Sequence, residues 1–177
     1  MDFDFLNPDY KQVFKNRAAN LLTVQRDVKG SPASLKKWKA FYAKNPWLYI
    51  SDWGMTYDPR LLERGLNPHV PFLLWPHQEE FLKWLYARWR AGERGLVEKS
   101  RDCGVTWLCV GFAVTEWLFL PGFAAGFGSR KEELVDKKGD PKSIFDKIRS
   151  FYSFTPEVFR PKGFDDRMHN GDRKSTR

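Results

Sequence analysis

The chain has 177 residues, 42% hydrophobic and 16% aromatic. That composition excludes a disordered chain and allows one modest domain, or a core domain with an appended helical region. The formal net charge of +8 favours polyanionic partners over cationic ones. The excess sits at the two ends, with 9 Lys and Arg against 4 Asp and Glu in residues 1–50 and 13 against 9 in residues 130–177. A solvated basic surface reads equally well from these counts. The two cysteines, Cys103 and Cys109, form no CxxC or Cys/His cluster, so neither a metal site nor a disulfide is expected.

In chain order, Asn7-Pro8 reads as a cap followed by the first helical proline. Tyr10, Val13, Phe14, Arg17, Leu21 and Leu22 then keep helical spacing. Ser31-Pro32 opens a second helix, with Leu35, Trp38, Phe41 and Tyr42 on one face, ending at Asn45-Pro46. Residues 46–75, rich in Pro, Gly and aromatics, read as an ordered connector lying over a core, because its tryptophans need burial. Pro76 opens a third helix, with Phe81, Leu82, Leu85 and Trp89 as its apolar face and Gly92 as its stop.

The pattern then changes. Residues 94–99 (RGLVEK) read as a short strand, 100–104 as a loop, and 106–120 as an apolar helix stopped by Pro121-Gly122. Residues 123–128 (FAAGFG) read as a second buried strand, and Asp140-Pro141 as the cap of a helix carrying Ile144, Phe145, Ile148 and Tyr152. Strand, loop, helix, strand and helix in that order predict an α/β fold with a parallel sheet and right-handed crossovers. The expected organisation is a helical region and connector over 1–70, a partial P-loop NTPase core over 71–160 and a polar, disordered tail over 161–177. The longest apolar run, residues 105–120, contains Glu116 and falls short of the ~20 residues of a membrane span, and the acidic N-terminus lacks a signal core. The expectation is no membrane partner and a reducing cytoplasm.

The loop EKSRDCGVTW (98–107) carries the chemistry. A phosphate loop needs a tight turn that aims backbone N–H groups at phosphate oxygens, a helix N-terminus, a lysine, and a hydroxyl for Mg²⁺. Gly104 supplies the turn and Thr106 the hydroxyl. Val105 stands where the usual lysine would, and Lys99 where the first glycine would; Lys99 can fold its stem over the phosphates from the loop start, and Arg101 is a second candidate.

This arrangement resembles the large terminase subunits of tailed bacteriophages, some of which move the lysine to the loop start. KSRDCGVT carries the resemblance, together with WPHQEEFL (75–82), GFGSRKEELVDKKGDPKSIFDKIR (126–149) and the connector DWGMTYDPR (52–60). It implies an ATPase of P-loop type that binds ATP and Mg²⁺ to drive double-stranded DNA into a capsid in the bacterial host's cytoplasm. A small terminase subunit and a portal protein would be its partners, and a homo-oligomer its working form. By the resemblance Lys99 and Arg101 serve catalysis, Thr106 binds Mg²⁺, and Ser100, Arg101, Asp102, Cys103, Gly104 and Val105 hold the phosphates. Gln78, whose carboxamide has both donor and acceptor, pairs with the adenine edge. No apolar strand ending in Asp-Glu follows, and GFDD (163–166) lacks the apolar run, so little turnover is expected. A helicase-type motor, or a non-enzymatic DNA- or protein-binding remnant, stays open. Arg130, His77 and His169 read as ordinary surface residues, and the eight tryptophans as core.

Overall fold

The computed structural model describes residues 4, 8–100 and 103–164. Among them are eight α-helices: α1 (Tyr10–Gly30), α2 (Pro32–Lys44), α3 (Pro46–Trp53), α4 (Pro59–Glu63), α5 (Pro76–Ala91), α6 (Val105–Phe119), α7 (Glu132–Val135) and α8 (Ile144–Ser153). Two three-residue strands, β1 (Met55–Tyr57) and β2 (His69–Pro71), form an antiparallel pair with Met55 opposite Pro71 and Tyr57 opposite His69. A 3₁₀ turn spans Glu157–Phe159.

This corrects the expected fold class. Among the described residues there is no parallel sheet, and the only sheet is the two-stranded hairpin. Residues 94–99 and 123–128, predicted as strands, form no strand and pair with none. The physical reason lies in their composition. RGLVEK has only two apolar side chains, and Leu96 (95% exposed) and Val97 both face solvent. FAAGFG spends four of its six positions on alanine and glycine, which pack poorly and hold strands weakly. Neither segment can bury enough to hold a sheet.

The helix boundaries follow local chemistry. Proline stands at the first or second position of α2, α3, α4 and α5, where its missing N–H costs nothing. Gly92 ends α5 at φ 68°, in the left-handed region that glycine tolerates. Two caps differ from the sequence reading. The α1 cap is Asp9, whose carboxylate accepts from Gln12 N at 3.0 Å, while Asn7 lies outside the described residues. The α8 cap is Ser143, whose Oγ accepts from Asp146 N at 3.2 Å, and Asp140 instead accepts from Lys142 N one turn earlier. The predicted tail falls largely on residues 165–177, which lie outside the described residues.

The core is built around α3 and α6. The connector that carries α3 supplies Tyr49 and Ile50, both fully buried. Helix α6 is apolar on every side and packs against α2, α3, α5 and α8. Tyr42, Tyr49, Phe119 and Phe159 form an aromatic cluster with ring centroids 4.9–6.0 Å apart, mostly edge-to-face. Tyr42 also closes a polar chain: its hydroxyl accepts from Trp53 Nε1 and donates to Asp52 Oδ2, each at 2.9 Å. Of the tryptophans, Trp53 is buried, while Trp75 and Trp117 are exposed over more than a third of their surface. No helix among the described residues is long and apolar enough to cross a membrane.

Candidate functional site

A groove of about 760 Å³ opens where the N-termini of α5 and α6 face the β1–β2 hairpin. Its walls include Trp75, Gln78, Lys99, Gly104, Val105 and Thr106, together with Tyr57, Asp58, Arg60, Trp107 and Lys147. Five residues singled out in the sequence for nucleotide binding, from Gln78 to Thr106, therefore line one cavity. Ser100 and Cys103 lie in the loop beside it. Arg101 and Asp102, assigned to phosphate and to catalysis, lie outside the described residues.

Local chemistry explains the loop. Gly104, at φ 77°, occupies the left-handed region just before α6, and a Cβ there would meet Gln78 Nε2 at 3.2 Å. The first amides of a helix have no intrahelical acceptor, and their combined dipole favours an anion. Helix α6, with 15 residues, has a full dipole to offer. The Ser100 carbonyl accepts from Lys99 Nζ at 3.0 Å and from Cys103 Sγ at 3.3 Å, which gathers the two side chains on one oxygen. Lys99 is exposed and its ammonium lies against the loop, from which it can swing.

Gln78 has a different place from the one its chemistry first suggests. Its Oε1 accepts from Trp75 N at 3.1 Å, capping α5, and its Nε2 donates to Cys103 O at 3.3 Å. The carboxamide braces the loop against α5. One N–H and one lone pair remain for a ligand edge.

The groove also holds cations that sequence reasoning missed. Arg60 is tied to Asp58 through two side-chain hydrogen bonds of 2.9 Å, which hold the Asp58 carboxyl below its usual range. Lys147, on α8, is 9% exposed, donates to Pro141 O, and lies over the Trp107 ring at 5.9 Å. Burial lowers its pKa. The sequence offered no signal for it, because the α8 face that reaches Trp107 depends on how α8 crosses α6.

The fit to a nucleotide divides in two. Gly104, the α6 amides, Thr106 and Lys99 suit a polyphosphate. For Mg²⁺ the protein offers the Thr106 hydroxyl, and no group of three or more His, Cys, Asp or Glu residues among the described residues could hold a metal. That suits a Mg²⁺ held mainly by the ligand's own phosphates and water. Both cysteines are free thiols. Compared with known proteins, the chain matches no family model, no curated protein and no solved structure.

Proposed function

We propose that the chain binds ATP with Mg²⁺ at the N-terminus of α6, as a nucleotide-holding part of a DNA-packaging motor of the large terminase type. The observation that carries this reading is the convergence of Gln78, Lys99, Gly104, Val105 and Thr106 on one groove, from segments more than 20 residues apart. The triphosphate would meet the α6 amides, with Lys99 swinging off Ser100 O to neutralise it. Thr106 would complete the Mg²⁺ shell, and Gln78 would hold the loop open against α5. The terminase assignment, with its small-subunit and portal partners, rests on the sequence resemblance.

Titration of the purified chain with Mg-ATP tests the site. Binding by the wild type, and a loss of affinity of about tenfold or more in Lys99→Ala, is the expected result, since a charge-assisted phosphate contact contributes roughly 1.5–3 kcal/mol. A wild type that fails to bind Mg-ATP sinks the reading. Steady-state hydrolysis is expected to stay near background, because among the described residues no aspartate–glutamate pair stands at a strand end to hold Mg²⁺ and activate water. Robust turnover would overturn that expectation.

A second reading is favoured by the fold. The described residues hold only a two-stranded antiparallel hairpin and not the larger sheet on which a motor would act, which suits a non-enzymatic module that binds DNA or a protein. In that case Lys99→Ala leaves every nucleotide titration flat.

A further inference from the structure

The whole chain's formal net charge of +8 is reproduced by residues 10–44 alone, where nine Lys and Arg face a single acid, Asp27. These residues are the α1–α2 helical hairpin. Arg17 turns inward, donating to Ser51 O at 2.7 Å and Gly54 O at 2.9 Å, and Lys39 is half-buried; the other seven are exposed. Ion pairs among the described residues lie on α4, α5 and the segment from Lys131 to Arg149. Asp27 points to Trp38, accepting from its Nε1 at 3.3 Å.

The placement on α1 is ordered. At about 100° per residue, Lys11, Lys15, Arg26 and Lys29 fall within roughly 60° of one line along the helix. All four are exposed. The opposite side carries Val24, 1% exposed, and the half-buried Leu21 and Val28. Between the two cation pairs stand Ala18, Ala19 and Leu22, with no carboxylate. The pairs are separated by 11 residues, or about 16 Å of helix. Lys36, Lys37 and Lys44 add three exposed cations on α2.

We infer that the α1–α2 hairpin is a contact surface for the phosphate backbone of double-stranded DNA, with one α1 cation pair on each strand bordering a groove. The separation matches a duplex groove about 12 Å wide plus the phosphates that edge it. A basic helix that lies on a membrane needs a large free apolar face; here Leu21, Val24 and Val28 of α1 pack on the core, and the large apolar side chains left exposed on α1, Phe14 and Leu22, stand about two turns apart and form no such face. Contacts to phosphates carry no sequence information, so the expected binding is independent of sequence. The inference deepens the motor half of the reading above, on which it rests for the use made of the contact. The basic stripe and the nucleotide groove share no residue.

Fluorescence anisotropy of a labelled random-sequence 20-base-pair duplex, with the full chain at 50 and 200 mM salt, tests it. The wild type should bind at the lower salt and weaken steeply at the higher one. Lys11→Gln/Lys15→Gln/Arg26→Gln/Lys29→Gln should bind at least tenfold more weakly, with a salt slope shallower by about 3–4. A control on another exposed pair, Lys137→Gln/Lys138→Gln, should bind like the wild type. If the α1 variant melts early, Lys36→Gln/Lys37→Gln/Lys44→Gln gives the same reading from α2. No duplex binding at 50 mM salt, binding as tight as the wild type by both the α1 and the α2 variants, or binding to anionic phosphatidylserine vesicles in preference to duplex overturns the inference. Mg-ATP titration of the same variants should be unchanged, so failure of the DNA surface and failure of the nucleotide site are read separately.

Discussion

Raising the pH from 4.5 to 8 should destabilise this protein by about 3 kcal/mol through one side chain, Glu116. The residue sits in the middle of α6 at 1% exposure, and both its carboxylate oxygens are buried without a hydrogen-bond partner. Burial pushes its pKa up to about 7 from an ordinary 4.5, and the distant charge of Arg90 draws it down only partly. The carboxyl is therefore easier to bury protonated than ionised. The folded state binds the proton more tightly than the unfolded one, so this contribution is fully present below pH 4.5. It fades as pH rises through about 7 and is gone above that. Glu116→Gln keeps the shape and removes the titration. Chemical denaturation of both proteins between pH 4.5 and 8 should show the wild type losing stability relative to the variant, and the variant more stable at pH 8. Parallel pH profiles for the two would show that Glu116 is solvated or paired after all.

The second large effect is expected at Gly54, where α3 hands over to β1. A Cβ there would lie 2.5 Å from Ile50 O and 3.0 Å from the Phe151 ring. The glycine is also a hydrogen-bond junction. Its N–H donates to Ile50 O at 2.8 Å, and its carbonyl accepts from Phe72 N and Arg17 Nη1, each at 2.9 Å. Gly54→Ala cannot be relieved by a side-chain rotation, because the nearest atom is backbone. Moving it disturbs α3, the hairpin and the α1 contact together. A loss of about 3 kcal/mol or more is expected, read as a fall in melting temperature of roughly 10 °C. A melting temperature within a degree or two of the wild type would mean that the crossing is looser than the structure has it.

How far the sequence spoke depended on whether the signal was local. Pro32, Pro76, Gly92 and Pro121 act within one helical turn, and the helices they bound could be placed from them. Strands are different, since a strand exists only if a partner does. Residues 94–99 and 123–128 had the right neighbours in sequence but too little apolar surface to recruit a sheet, while Met55–Tyr57 found its partner only because the chain returns at His69–Pro71. The groove shows the same division. Gln78, Lys99, Gly104 and Thr106 stood out through the loop and helix around them. Lys147 and Arg60 reach the groove through tertiary packing, and the engagement of both ends of Gln78 appears only when the loop is folded against α5.

Helix α6 carries a consequence for the order in which the molecule assembles. With ten of its fifteen residues buried, it has no polar face on which to rest in water. Its shelter comes from both directions along the chain, from α2, α3 and α5 before it and α8 after it. While α8 is unfolded or not yet made, one flank of α6 stands open, and any intermediate formed then is adhesive. The aromatic cluster that Phe159 joins with Tyr42, Tyr49 and Phe119 is likewise complete only when both halves of the chain have met.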